Sequence, residues 1–371
     1  MRWQHSRSTW LVAGVILIAL TSTWVRGEEA PDPGSCIAKE IKADLEEAGP
    51  YWGLGAYAFF DKNLSRDRSV ACADCHDPRY SYTNPTPLRD VESGLAKRRA
   101  PSLLNLRDQR WLFWDGRASS LETAVLHPLY GQNELNLDRE TMVERAREDE
   151  KYRLLLDAGE RDKWFGKPER TDDPDQVIER ALAKSLASYL KTLVSCGTSR
   201  ENIYFAKDLS AGRELFRGKA GCSNCHFGRN FTDGQFHNIR VRPIRNFEEP
   251  DSGRYAIVKE LNSNGAKLKL TQEMWGSFKT PSLRNVGRRP PYMHQGQFDT
   301  LGKVVKFYSD FENALPEDHH YAGLLKPLQL SPTEISQLVA YLTSLNDTFY
   351  TCVTNTEGGM LLPSSCKFED N

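Results

Sequence analysis

Two short segments constrain what this chain can fold around. Cys72-Ala73-Asp74-Cys75-His76 and Cys222-Ser223-Asn224-Cys225-His226 both read C-x-x-C-H, the pattern by which c-type haem is attached. Two thiols three residues apart reach the two vinyl groups of one porphyrin as thioethers, and the adjacent imidazole then lies under the iron as proximal ligand. A zinc knuckle or a redox dithiol needs C-x-x-C but not the histidine that follows. Two complete copies therefore point to two covalently bound haem c groups, one held by Cys72, Cys75 and His76, the other by Cys222, Cys225 and His226.

Covalent haem is attached outside the cytoplasm, and the N-terminus agrees with export. Arg2, His5 and Arg7 form a basic start, an apolar run from Trp10 to Leu20 follows, and Val25-Arg26-Gly27 precedes the expected cut. Residues 1–27 thus read as a secretory signal peptide. The apolar run is short for a membrane span of ~20 residues, so no stable membrane insertion is expected after cleavage, and the expected location is the periplasm. Of the eight cysteines, Cys36, Cys196, Cys352 and Cys366 lie outside the haem motifs. An even remainder in an exported chain suggests two disulfides. Cys352 with Cys366 and Cys36 with Cys196 is one such arrangement, and the spacing does not decide the pairing. With 49 basic and 50 acidic residues and a net charge of −1, nothing suggests nucleic acid or a strongly charged membrane surface as partner.

The haem motifs divide the chain into two loosely repeated halves. Ile178, Leu182, Leu186, Tyr189 and Leu193 recur at helical spacing behind Asp173-Pro174-Asp175, and Ser210 to Phe216 reads as a short helix leading into the second motif. Ser331-Pro332-Thr333-Glu334 is a capping box with proline at the first helical position, followed by an apolar face of Ile335, Leu338, Val339, Leu342 and Leu345. Alternating apolar runs long enough for a sheet are few. The expected class is mainly α: two cytochrome c-like haem domains with long loops, over residues 28–200 (the peroxide-reactive haem) and 201–350 (the electron-relay haem), then a tail over 351–371.

The segments around the motifs carry a resemblance. Leu64-Ser65, Arg98-Arg99-Ala100-Pro101-Ser102-Leu103-Leu104-Asn105 and Phe113-Trp114-Asp115-Gly116-Arg117-Ala118 resemble the bacterial di-haem cytochrome c peroxidases and MauG. So do Phe231-Thr232-Asp233, Phe236-His237-Asn238, Thr280-Pro281-Ser282-Leu283-Arg284-Asn285-Val286 and Pro291-Tyr292-Met293-His294. The likeness runs from about residue 54 to 345. It implies that one haem meets hydrogen peroxide while the other stores or relays electrons, with Trp114 between them. Glu134 falls where the family places its distal glutamate, which takes the proton from peroxide and returns it to the leaving oxygen. The peroxidase branch carries a histidine after the first motif that blocks the iron until the second haem is reduced. Residues 77–101 contain no histidine, so the first haem is expected to be open, as in MauG-like members. In the second half Tyr308 matches the position of an iron ligand that is Met in the peroxidases and Tyr in MauG; Met293 and His294 are read as wall residues. A phenolate ligand lowers the reduction potential and works against a simple electron-donor role.

The chain departs from the family pattern in four places. Arg99 stands where an Asn helps hold calcium between the haems, which puts calcium in doubt because a cation cannot donate a lone pair. Leu135 replaces a Met, Ala124 a distal Gln, and Ala220 a surface Trp that MauG uses to oxidise its partner. The resemblance implies a MauG-like enzyme that uses hydrogen peroxide to oxidise a Trp or Tyr of a partner protein. The alternatives are a cytochrome c peroxidase fed by a small cytochrome or cupredoxin, and a non-enzymatic di-haem electron carrier.

Overall fold

The computed structural model describes residues 51–86, 90–91, 94–95, 97–153, 173–195, 207–244, 251–316, 325–346, 349–353 and 363–367. Residues 1–27, Cys36 and Cys196, on which the signal peptide and one expected disulfide depend, lie outside the described residues. The protein is mainly helical with little strand.

In the first half, helix α1 (Trp52–Phe60) crosses helix α5 (Pro174–Thr192). Asp173 caps α5 by accepting from the Asp175 backbone N–H at 3.2 Å, and Pro174 occupies the first position, where no backbone donor is needed. Leu182, Leu186, Tyr189 and Leu193 are all buried on its inner face, and Ile178 packs against them. Each fully buried side chain of this kind contributes about 1.5–3 kcal/mol. The two backbones almost touch: a Cβ on Gly55 would stand 1.9 Å from the Ser185 carbonyl oxygen. Phe59 and Tyr189 flank the crossing with ring centroids 5.1 Å apart. Two further helices, α3 (Leu121–Tyr130), capped by Ser120, and α4 (Arg139–Glu148), capped by Asp138, pack on α5. The four-residue helix α2 (Cys72–Cys75) lies against α1.

The second half repeats the device. Helix α6 (Lys207–Arg217) extends beyond the expected Ser210–Phe216 and crosses α9 (Pro332–Thr343) where a Cβ on Gly212 would stand 2.1 Å from the Gln337 carbonyl oxygen. The expected capping box is present: the Glu334 N–H donates to Ser331 Oγ at 3.3 Å and the Ser331 N–H to Glu334 Oε2 at 2.8 Å. Leu338, Leu342 and Leu345 are buried beneath it with Phe216 and Tyr341. Helix α7 (Arg254–Ser263) precedes α8 (Leu301–Asp310), which is capped by Thr300 and carries Tyr308. The apolar clusters of the two halves are distinct, one running from Leu54 to Leu193 and the other from Phe216 to Leu345.

Strand is confined, among the described residues, to antiparallel pairs: Asp90–Val91 with Gly94–Leu95, Phe236–His237 with Phe278–Lys279, and Phe349–Val353 with Pro363–Lys367. The last pair is a hairpin across the expected tail, with Cys352 opposite Ser364 and Cys366 opposite Tyr350. Among the described residues no helix is long and apolar enough to cross a membrane.

Candidate active site

Helix α2 sets Cys72 on the wall of a recess and ends at His76, whose backbone N–H donates to the Cys72 carbonyl at 2.9 Å. The His76 ring Nδ1 lies 3.0 Å from the Tyr82 carbonyl oxygen. A carbonyl only accepts, so Nδ1 carries the proton and Nε2 keeps its lone pair. Burial pushes His76 down to about 4, so the ring is neutral at neutral pH. Burial likewise pushes the Cys72 thiol up to about 12, and Cys75 beside it adds to the shift. All four motif thiols are free. A redox-reactive cysteine shows the opposite shift, toward thiolate. Among the described residues, moreover, Cys72, Cys75 and His76 do not converge into a metal-sized cluster.

Two adjoining cavities of about 180 and 450 Å³ meet around this motif, sharing Cys72, His76, Arg99, Pro101, Phe113, Trp114 and Pro128 as walls. Glu134 lines the larger. The loop after α3 folds back to place it, the Glu134 N–H donating to the Gly131 carbonyl at 2.9 Å and the Leu135 N–H to that of Pro128 at 3.0 Å. The Glu134 side chain is 42% accessible, lines the larger cavity, and its charge reaches Cys72. Burial raises its pKa, and Arg117, with Nη2 4.0 Å from Oε1, pulls the other way. Arg117 lies over the Phe113 ring at 3.8 Å and pairs with Asp115 at 3.2 Å. Asp115 pairs in turn with Arg98, and Arg98 with Asp251 at 2.7 Å, so the chain of charges runs from the pocket into the second half. Leu135 lines the same cavity as Glu134 and Ala124 lines the other; both are buried.

Trp114 stands where the halves meet and lines both cavities. Its indole N–H donates to the Arg99 carbonyl at 2.9 Å, and its own carbonyl accepts from the Lys279 N–H at 2.7 Å. Its ring meets His294 edge-on, centroids 6.4 Å apart, and His294 stacks on Phe278 at 3.8 Å. His294 is buried between these two rings.

At the second motif a 3-10 turn, Cys222–Asn224, leads to His226, whose Nδ1 lies 3.0 Å from the Phe231 carbonyl. The tautomer is thus fixed as in His76, and burial lowers the His226 pKa. The Tyr308 phenol is raised above its usual range by burial and then by the charges of Cys222 and Cys225. Met293 instead lines the cavity of the first motif. Cys225 also meets Asp233 and His237, the latter two 2.8 Å apart.

A haem suits the first recess on three counts: apolar walls, a neutral imidazole with a free lone pair, and buried cations at its rim. Arg99, Lys279 and Arg289 are pushed down by burial to about 9, 8 and 10, and among the described residues no carboxylate pairs with them. Buried unpaired cations are costly, and the propionates of a porphyrin would neutralise them. At residue 99, where the resemblance implies an Asn that helps hold calcium, the guanidinium donates to the Asn84 and Arg289 carbonyls and offers no lone pair. Sequence reasoning did not single out Arg117, Lys279 or Arg289. Only Arg117 carried a signal, as part of Phe-Trp-Asp-Gly-Arg.

Residues 51–208 match the family model described as di-haem cytochrome c peroxidase. The methylamine utilization protein MauG of Methylophilus methylotrophus is 33% identical over 79% of this chain and 81% of its own length. The chain belongs to the di-haem cytochrome c peroxidase and MauG family. The cytochrome-c peroxidase IdrP2 of Denitromonas iodatirespirans is 31% identical over 83% of each chain. The solved diheme peroxidase BthA of Burkholderia thailandensis superposes with a TM-score of 0.66, at 25% identity, over 81% of this chain and 86% of its own. As a family member the protein is a di-haem oxidoreductase that uses hydrogen peroxide. Membership implies two c-type haems and a protein partner.

Proposed function

We propose that the protein is a periplasmic MauG-like enzyme that oxidises a Trp or Tyr of a partner protein with hydrogen peroxide. Residues 1–27 are its export signal, and residues 28–200 and 201–350 each form a cytochrome c-like haem domain. Cys72, Cys75 and His76 would hold the first haem, the thiols as thioethers and the imidazole as iron ligand; Cys222, Cys225, His226 and Tyr308 would hold the second. When bound, the haems supply the redox centres, the first open to peroxide and the second holding oxidising equivalents. Glu134 takes the proton of peroxide at one carboxylate oxygen and returns it to the departing oxygen, while Arg117 holds that carboxylate in place. Leu135 and Ala124 keep the walls apolar and limit water. Trp114 is the aromatic bridge between the halves.

The observation that carries this reading is the make-up of the recess. Of the residues lining the two cavities, His76 is the single histidine, and no other histidine follows the motif before Pro101. Among the described residues no side chain of the blocking type lines the recess. The as-isolated diferric protein is therefore expected to react with peroxide in a stopped-flow spectrometer without prior reduction. No reaction until one haem is reduced would reject the proposal. It would favour the second reading, a cytochrome c peroxidase fed by a small cytochrome or cupredoxin, which has the support of the relatives named cytochrome-c peroxidase.

Replacing Tyr308 with Phe tests the second site. The variant is expected to keep its haem, to lose the spectroscopic signature of a phenolate ligand and to gain a higher potential at that haem. A methionine charge-transfer band in the wild-type magnetic circular dichroism spectrum would instead assign the ligand to a Met.

A further inference from the structure

Helix α1 walls the first cavity with Phe59. Tyr57, two residues earlier and so on another face of the helix, meets Tyr152 instead, with ring centroids 5.2 Å apart and planes tilted by 58°. One helix width, about 10 Å, separates this pair from the pocket wall. Each phenol donates to a carboxylate of its own, Tyr57 to Asp149 Oδ2 at 2.9 Å and Tyr152 to Asp61 Oδ2 at 2.8 Å. Backbone N–H groups hold the other oxygen of each carboxylate: those of Lys151 and Tyr152 on Asp149 Oδ1, and that of Asn63 on Asp61 Oδ1. Burial first, and then the neighbouring carboxylates, raise both phenols above their usual range. Both are therefore neutral, and each gives up an electron readily only if its proton leaves with it. Tyr152 is 2% exposed, so solvent does not reach it. A packing contact needs neither hydroxyl. Two phenols in ring contact, each with its own proton acceptor, are arranged for paired oxidation.

We propose that Tyr57 and Tyr152 are a self-modification site, at which hydrogen peroxide joins the two rings into an intramolecular dityrosine. The inference rests on peroxide reacting in the first half, as proposed above. Lys151 Nζ stands over the Tyr57 ring, 4.4 Å from its centroid, and a cation on that face makes the ring harder to oxidise, so Tyr152 reacts first. Tyr152 gives one electron to the oxidised first site and its phenolic proton to Asp61. Tyr57 then gives one electron by the same route and its proton to Asp149. One carbon–carbon bond forms between the ring positions ortho to the two oxygens. The hydrogens on those carbons move to the oxygens and restore both phenols. One hydrogen peroxide takes up the two electrons and two protons and leaves as two waters. A biaryl bond leaves its rings twisted against each other, which the observed tilt already provides. The bond ties α1 to the segment behind α4, beside the pocket from which the oxidation comes.

Haem-loaded protein, both diferric and half-reduced, is mixed with excess hydrogen peroxide in the absence of a partner protein, and peroxide consumption is followed. Dityrosine is then read from its fluorescence and located by tandem mass spectrometry of proteolytic peptides. The wild type is expected to lose two hydrogens per chain, at a link between Tyr57 and Tyr152. Tyr57→Phe and Tyr152→Phe are each expected to lose that link while haem content and peroxide consumption stay. Asp61→Asn and Asp149→Asn keep an oxygen for the hydrogen bond but cannot take the proton, and they are expected to form the link about 10²-fold more slowly. Peroxide consumed with no link formed overturns the inference and leaves the site of peroxide reaction standing. Dityrosine found only between other tyrosines, or only between chains, overturns it equally. A link that forms at the wild-type rate in Glu134→Gln supports the tyrosine pair while rejecting the role given to Glu134. If the variants do not accumulate with their haems, the wild-type peptide map still decides.

Discussion

Glu134→Gln is expected to slow the reaction with hydrogen peroxide by about 10²–10⁴-fold, the usual contribution of a positioned acid–base group, while both haems stay bound. The amide keeps the shape of the carboxylate and its place in the loop after α3. It cannot accept the peroxide proton. The ferric spectrum is expected to change little, because the proposed role of Glu134 is acid–base and not ligation. The pH profile gives a second check. Burial raises the Glu134 pKa, with Arg117 opposing. The group works as a base only when ionised, so the wild-type rate is expected to rise with pH through this elevated pKa and to fall below it. Glu134→Gln is expected to lose that limb of the profile. An unchanged rate constant in stopped-flow mixing would remove Glu134 from the mechanism.

Trp114→Phe is expected to leave the first haem's reaction with peroxide intact and to abolish the prompt spectral change at the second. Phenylalanine has a smaller ring that is harder to oxidise, and it lacks the indole N–H. The variant therefore loses both the bridge and the 2.9 Å hydrogen bond to the Arg99 carbonyl. The hydrogen bond alone is worth about 0.5–1.5 kcal/mol, so a modest fall in thermal midpoint is expected alongside the functional loss. Rapid-freeze Mössbauer spectroscopy separates the two irons. If the second still responds at the wild-type rate, the link runs elsewhere and Trp114 only packs the junction.

These residues were legible in the sequence to different degrees, and the reason is range. The C-x-x-C-H segments carry their meaning within five residues, and the structure only adds the carbonyls of Tyr82 and Phe231 that fix the histidine tautomers. The inner face of α5 and the capping box of α9 were readable because helical periodicity and a Ser-Pro-x-Glu start are local signals. The pair Phe236–His237 and Phe278–Lys279 was not, because two-residue strands leave no alternation to detect. The hold of Arg117 on Glu134 spans a helix and a loop, and nothing in its neighbours announces it. Lys279 reads as an ordinary surface lysine until the fold encloses it. Arg99 lay between: its mismatch with the family pattern was visible, but the oxygens that receive it come from segments as distant as Thr83 and Pro291.

The paired glycine crossings bear on how such a molecule is held together. At Gly55 and Gly212 one backbone rests on another, Ser185 and Gln337 respectively, and the aromatic rings that brace each contact, Phe59 on Tyr189 and Phe216 on Tyr341, are protein on both sides. Each half is thus framed by its first helix closed on its last, backbone against backbone. An alanine at either glycine would wedge that frame open before any chemistry could begin, which makes these two silent positions as restrictive as the cysteines themselves.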